Sequence, residues 1–139
     1  MDISRLCTDP ALLSEERALV EDFVNATNAA DLAALTGLFA ADAHVNDQLR
    51  NFWGLVDIRH WLEREIVGAR IQLNVLRIRK HYDSVIGVAE ISGAFEAPRT
   101  GVPMVIDLIF TVRAQRIVRL LILLARDDEP DQEIRPVAR

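Results

Sequence analysis

The sequence predicts an α+β domain in which N-terminal helices pack on a sheet. Three observations lead there. Apolar residues recur at helical spacing up to about residue 66, the period then changes to that of strands, and no Gly/Pro/Ser-rich linker separates the two halves. With 139 residues, half of them hydrophobic, the chain fits one domain with one sizeable core. The boundaries are residues 1–126 for the domain and 127–139 for a charged, mobile tail.

The elements follow in order. Asp9-Pro10 has the form of a helix start, with Glu15 and Glu16 placed to favour the positive end of the helix dipole. Leu12, Leu19, Val20, Phe23, Val24 and Thr27 then make one apolar face. Asn28-Ala29-Ala30-Asp31 breaks the run, and Asp31 caps a short second helix carrying Leu32, Leu35, Leu38 and Phe39. A short extended piece, 43–48, precedes a third helix that begins after Gly54, turns Ile58, Trp61, Leu62 and Ile66 inward, and stops at Gly68.

Strand alternation starts at Ile71, Leu73 and Val75 and continues out of phase at Leu76 and Ile78. That slip of one residue predicts a β-bulge near Val75. Ala89, Ile91 and Phe95 alternate with polar residues, whereas 102–112 and 117–125 are apolar on both faces. A two-sided apolar strand needs a cover on each side. The economical cover is a second copy of the chain, so a homodimer through the sheet is expected.

Charge and composition exclude several classes. A net charge of −5 opposes nucleic acid and anionic membrane surfaces as partners. No apolar stretch reaches the ~18 residues that span a bilayer, and Met1-Asp2-Ile3-Ser4-Arg5 opens no signal peptide. The expectation is a soluble, cytoplasmic protein. Its single cysteine, Cys7, allows no internal disulfide. His60 and His81 have ligand spacing to nothing, so neither a metal nor another cofactor is expected.

Two carboxylates stand out because each lies in a segment that otherwise reads as buried strand. They are Asp47, behind Phe39-Ala40-Ala41-Asp42-Ala43-His44-Val45-Asn46, and Asp107, within Met104-Val105-Ile106-Asp107-Leu108-Ile109-Phe110. An unpaired buried carboxylate costs on the order of several kcal/mol, so such a group protonates, pairs or serves chemistry. Asp47 reads either as a pocket base or as a turn residue capping backbone N–H groups. Asp107 reads either as a neutral carboxyl in a pocket or as the partner of Arg77, Arg79 or Arg119 across the sheet.

The stretches Ala30-Asp31-Leu32-Ala33-Ala34-Leu35, Leu38-Phe39-Ala40-Ala41-Asp42-Ala43 and Gly54-Leu55-Val56-Asp57-Ile58-Arg59 resemble the nuclear transport factor 2-like superfamily, in particular its SnoaL-like polyketide cyclases and ketosteroid isomerases. The closing pair of apolar strands extends the similarity to about Ala125, and the resemblance implies a cone-shaped NTF2-like fold, with N-terminal helices packed on a curved antiparallel sheet enclosing a pocket. In ketosteroid isomerases one carboxylate shuttles a proton, while a Tyr hydroxyl and a neutral Asp stabilise the dienolate oxygen. The resemblance gives Asp47 the role of the shuttle and Asp107 that of the neutral hydrogen-bond donor. It puts Phe23, which can donate nothing, at the Tyr position, and the hairpin 112–116 lacks the Asp-Gly turn common among relatives.

The expected function is a small apolar-ligand pocket, with proton transfer next to a carbonyl as its chemistry. The alternative is a non-catalytic ligand-binding or dimerisation domain of the same fold. Phe23, Trp53 and Trp61 are candidate walls, with Trp53 in a loop the better ligand-facing ring and Trp61 on the core stripe of its helix. His44 is a candidate for the pocket rim, although regular alternation puts it on the face opposite Asp47. An epoxide-hydrolase-like variant of the fold needs an Asp-Arg-Asp array, and none is evident near Glu90-Ile91-Ser92 or Arg126-Asp127.

Overall fold

The computed structural model of the chain describes residues 9–94 and 104–124. The expectations for Cys7, for Phe95 and for the 127–139 tail lie outside them. Helix α1 (Ser14–Asn28) is followed by α2 (Leu32–Gly37), strands β1 (Phe39–Asp47) and β2 (Arg50–Trp53), and α3 (Gly54–Trp61). A π-helical turn, Leu62–Val67, prolongs α3, and β3 (Gln72–His81), β4 (Ser84–Ser92), β5 (Met104–Arg113) and β6 (Arg116–Leu124) complete the molecule.

Asp9-Pro10 forms a turn ahead of α1 instead of its first turn. The Asp9 carboxylate accepts from the Ala11 N–H at 2.9 Å, and the helix begins four residues later than the end of Pro10 suggests. Glu16 instead takes the free N–H of Leu13, at 3.0 Å, and pairs with Lys80. Asp31 caps α2 as expected, accepting from Ala34 N–H at 3.0 Å. Gly54, at φ +83°, lets β2 turn directly into α3, a conformation that disfavours any side chain.

The six strands form one open sheet in the order β2-β1-β6-β5-β4-β3. The expected sheet was antiparallel, but β1 and β6 pair in parallel, with Asp47 opposite Ile122. The pairs β1–β2, β3–β4 and β5–β6 run antiparallel across two-residue turns, whereas β1 and β6 meet only because the chain between them goes round the rest of the sheet. The slip read at Val75 is a register shift between Val75 and Arg77, which leaves Leu76 as the extra residue.

Registers divide the sheet into two faces. One row runs Asp47, Ile122, Leu108, Gly87, Ile78 and points inward. The adjacent row, Asn46, Leu121, Ile109, Ile86, Arg79, points outward. The inner face and the apolar sides of α1 and α3 build the core, where Phe23 meets Phe110 edge-on at 5.3 Å and Ile58, Trp61 and Leu62 are fully buried.

Candidate functional site

A cavity of about 470 Å³ opens between α1, the π-helical turn and the inner face of the sheet. Most of its wall is apolar: Phe23 from α1, Ile66 from the π-turn, Ile71 and Leu73 from the start of β3, Ile106 and Leu108 from β5, and Ile122 and Leu124 from β6. Its polar groups are Asp47, Gln48, Arg50, Arg64 and Glu65, with Thr27 on α1. Such a site, largely apolar with a few convergent polar groups, has the general form of a small-molecule pocket.

Asp47 ends β1 and is 8 % exposed. Its Oδ2 accepts from the indole Nε1–H of Trp61 at 3.0 Å and from an Arg50 N–H at 3.0 Å. Among the described residues, Oδ1 has only the Gln48 amide, at 3.5 Å. One oxygen is thus clamped by two donors and the other is left to accept from something else. The donors are side chains, not the backbone N–H groups of a turn.

Arg50 extends the array. It also donates to both oxygens of Glu65, at 2.9 and 2.5 Å, so that one guanidinium joins two carboxylates. The bidentate hydrogen bond from Arg50 holds the Glu65 carboxyl below the usual carboxylate range, with burial opposing, and Glu65 in turn favours the charged form of Arg50. A carboxylate–arginine–carboxylate array therefore exists on this chain, at Asp47, Arg50 and Glu65; Arg126 and Asp127 lie outside the described residues.

Glu65 reaches the site through the π-turn. The Gly68 N–H bonds to the Glu63 carbonyl at 2.9 Å, an i→i−5 bond that widens the helix and brings Glu65 and Ile66 both to the cavity. A Cβ at Gly68 would lie 2.7 Å from the Arg64 carbonyl oxygen, so this geometry excludes any side chain there. Regular helical periodicity hides it: Glu63-Arg64-Glu65 reads as a solvated charged run, and Gly68 is the only trace.

The other predicted residues separate. Phe23 lines the cavity, and Trp61 lies beneath it in the core and contributes its N–H to Asp47. Asp107 does not join Asp47. The even-numbered residues of β5, 104, 106 and 108, line the cavity, and Asp107 points to the outer face between Val88 and Leu123. There burial raises its carboxyl above the ordinary value, partly offset by the charges of Arg79 and Arg77. No cation lies within 4 Å of it among the described residues. Trp53 and His44 also belong to the outer face. Their rings stack at 3.8 Å, Trp53 is 62 % exposed, and His44 bonds Asn51 at 2.8 Å. The alternation of β1 put His44 opposite Asp47; Trp53 follows it because it is the cross-strand partner of His44.

The profile of the SnoaL-like domain matches residues 20–120, most of the chain. The chain belongs to the SnoaL-like domain family. Solved structures agree on the nuclear transport factor 2-like fold. A protein from Sinorhizobium meliloti, provisionally assigned as a polyketide cyclase, is 28 % identical with a TM-score of 0.67, over 79 % of this chain and 99 % of that one. A provisionally assigned ketosteroid isomerase from Kribbella flavida is 14 % identical with a TM-score of 0.66, over 90 % of each chain. The orange carotenoid protein of Anabaena (Nostoc) sp. PCC 7120, solved with canthaxanthin bound, is 21 % identical with a TM-score of 0.71, over 93 % of this chain and 42 % of that one. No functionally curated protein matches the sequence. Within this SnoaL-like domain, no described helix is long and apolar enough to cross a membrane.

Proposed function

We propose that this SnoaL-like domain binds a small apolar carbonyl compound in its cavity and moves a proton on the carbon next to the carbonyl, with Asp47 as the base. The observation that carries the proposal is the asymmetric clamp on Asp47. Trp61 and Arg50 fix Oδ2, and Oδ1 remains available on the wall of an otherwise apolar cavity. A carboxylate held this way is already oriented, and its surroundings exclude most competing water. The proton passes from the carbon to Oδ1, and the electron pair passes to the carbonyl oxygen. Returning the proton to a different position gives an isomer; attack of the enolate carbon on a second carbonyl of the same substrate, whose π pair moves to its oxygen and takes the proton back from Asp47, gives a ring. Gln48 and Arg64 are the donors at this end for the developing oxyanion, because Asp107 faces the other way. The sequence match to the S. meliloti protein supports the same chemical class.

The test uses 2-tetralone, an apolar ketone with acidic α-hydrogens, in deuterated buffer. Wild-type protein is expected to accelerate α-hydrogen exchange, read by proton NMR, and Asp47→Asn to lose at least ~100-fold of that acceleration while still binding the ketone. Binding without exchange by wild type would favour the non-catalytic reading. Strong loss of binding in Asp47→Asn would remove its role as a base.

We further infer that the outer face pairs two copies of the chain. It carries Ile86, Val88, Val105, Ile109, Leu121 and Leu123, with Leu123 39 % exposed, alongside both Asp107 and the cations Arg77, Arg79 and Arg119. A two-fold pairing sets a face against itself, so it needs both charge signs on that face, as found here. Sedimentation should give a dimer for wild type and a monomer for Leu121→Lys; a monomeric wild type at tens of micromolar would contradict the pairing.

A further inference from the structure

Thr27, like Gln48 and Arg64, is a polar group of the cavity wall outside the Asp47–Arg50–Glu65 array. Thr27 stands one helical turn after Phe23 on α1, is 1 % exposed, and lines the cavity. Its hydroxyl oxygen has no hydrogen-bond partner among the described residues. Helical threonines usually satisfy the hydroxyl at the carbonyl four residues back. Thr36 on α2 does so, bonding Leu32 O at 2.7 Å. Thr27 has Phe23 O at the same spacing and makes no such bond.

The wall around it is mostly hydrocarbon, with Phe23, Ile71 and Leu73 close in sequence or on adjoining elements. A valine would fill the same volume without burying an unpaired polar group. A threonine here is therefore explained by a partner that the cavity's occupant brings. We propose that Thr27 hydrogen-bonds an oxygen of that occupant, so that the substrate class is oxygenated apolar molecules, held at Thr27 as well as at Asp47, and not plain hydrocarbons. This rests on the cavity being the binding site, as proposed above, and makes Thr27 a binding residue that selects for the oxygen.

A matched pair of probes tests it: 2-acetylnaphthalene and 2-ethylnaphthalene, similar in shape and different in the carbonyl. Affinities come from calorimetric or fluorescence titration of wild type, Thr27→Val and Thr27→Ser. Wild type should prefer the ketone by about five-fold, the effect of one net hydrogen bond. Thr27→Val should lower the preference markedly while still binding both probes, with Gln48 and Arg64 left to hold the carbonyl, and Thr27→Ser should keep it in full. A preference unchanged in Thr27→Val would overturn the role of Thr27 and leave the cavity reading intact. Failure of wild type to bind either probe at millimolar concentration would overturn the cavity reading and the inference with it.

The protein without ligand supplies an independent check. Removal of an unpaired hydroxyl should leave the thermal midpoint of Thr27→Val equal to or above that of wild type. A fall of several degrees would show that the hydroxyl has a structural partner, and would overturn the inference without any ligand.

Discussion

Asp47 and Asp107 lie on the two faces of one sheet, both in apolar strands, and they meet opposite treatment. Asp47 receives an indole N–H and a guanidinium on one oxygen and keeps the other open to a cavity. Asp107 loses water to Val88, Leu123 and their neighbours and is compensated only by the more distant charges of Arg79 and Arg77. Burial alone therefore does not make a site. A carboxylate becomes usable when donors fix its direction and leave one lone pair for a ligand; without them it is a destabilised charge on an apolar face.

The largest expected effect on this contrast comes from the inner face. Trp61→Phe keeps an aromatic ring, smaller than the indole, at this fully buried position and removes the N–H to Asp47. Loss of a hydrogen bond to a charged acceptor should lower stability by about 2 kcal/mol, measured by urea unfolding, and should slow tetralone exchange. The same variant should leave the outer face, and with it the proposed pairing, unchanged. Equal stability of Trp61→Phe and wild type would mean that the clamp does not hold Asp47.

A smaller effect belongs to Glu65. Its folded-state carboxyl titrates below the ordinary range because Arg50 binds its charged form. Its contribution is therefore present above the unfolded-state value and is lost as pH falls through the folded one. Glu65→Gln should remove that part of the acid-side loss and cost no more than a few tenths of a kcal/mol at pH 7, since Arg50 is half exposed. Identical stability–pH curves for the two proteins would contradict the pairing.

The smallest effect, of opposite sign, is that of Asp107→Asn. The carboxyl of Asp107 is raised, so stability should fall as pH rises from the unfolded-state value of about 3.8 through the folded one. At a dilution where the chain is monomeric, Asp107→Asn should be the more stable protein at pH 7 and equal to wild type near pH 3. A variant less stable than wild type at pH 7 would show that Asp107 has a close cationic partner after all.

The helical faces were legible because Leu19, Val20, Phe23 and Val24, and then Ile58, Trp61 and Leu62, repeat with a period that only one secondary structure fits. The bulge at Val75 was legible for the same reason, as a slip in phase. The direction of Asp107 was not, because β5 is apolar on both faces and alternation has no polar side to orient it. Arg50 and Glu65 were hidden for a different reason: each sits in a turn or charged run that looks solvated, and long side chains reach back to a carboxylate that sequence distance does not reveal. Asp47 itself was legible as a carboxylate in an apolar strand, but its clamp depends on Trp61, fourteen residues away on another element.

The most direct measurement of the central claim is α-hydrogen exchange of 2-tetralone on wild type, Asp47→Asn and Asp107→Asn, side by side at pH 7. Asp107→Asn should match wild type within about two-fold, and Asp47→Asn should fall to the level of buffer, a loss of at least ~100-fold. Equal rates for wild type and Asp47→Asn, or a collapse in Asp107→Asn alone, would contradict the assignment of chemistry to the inner face.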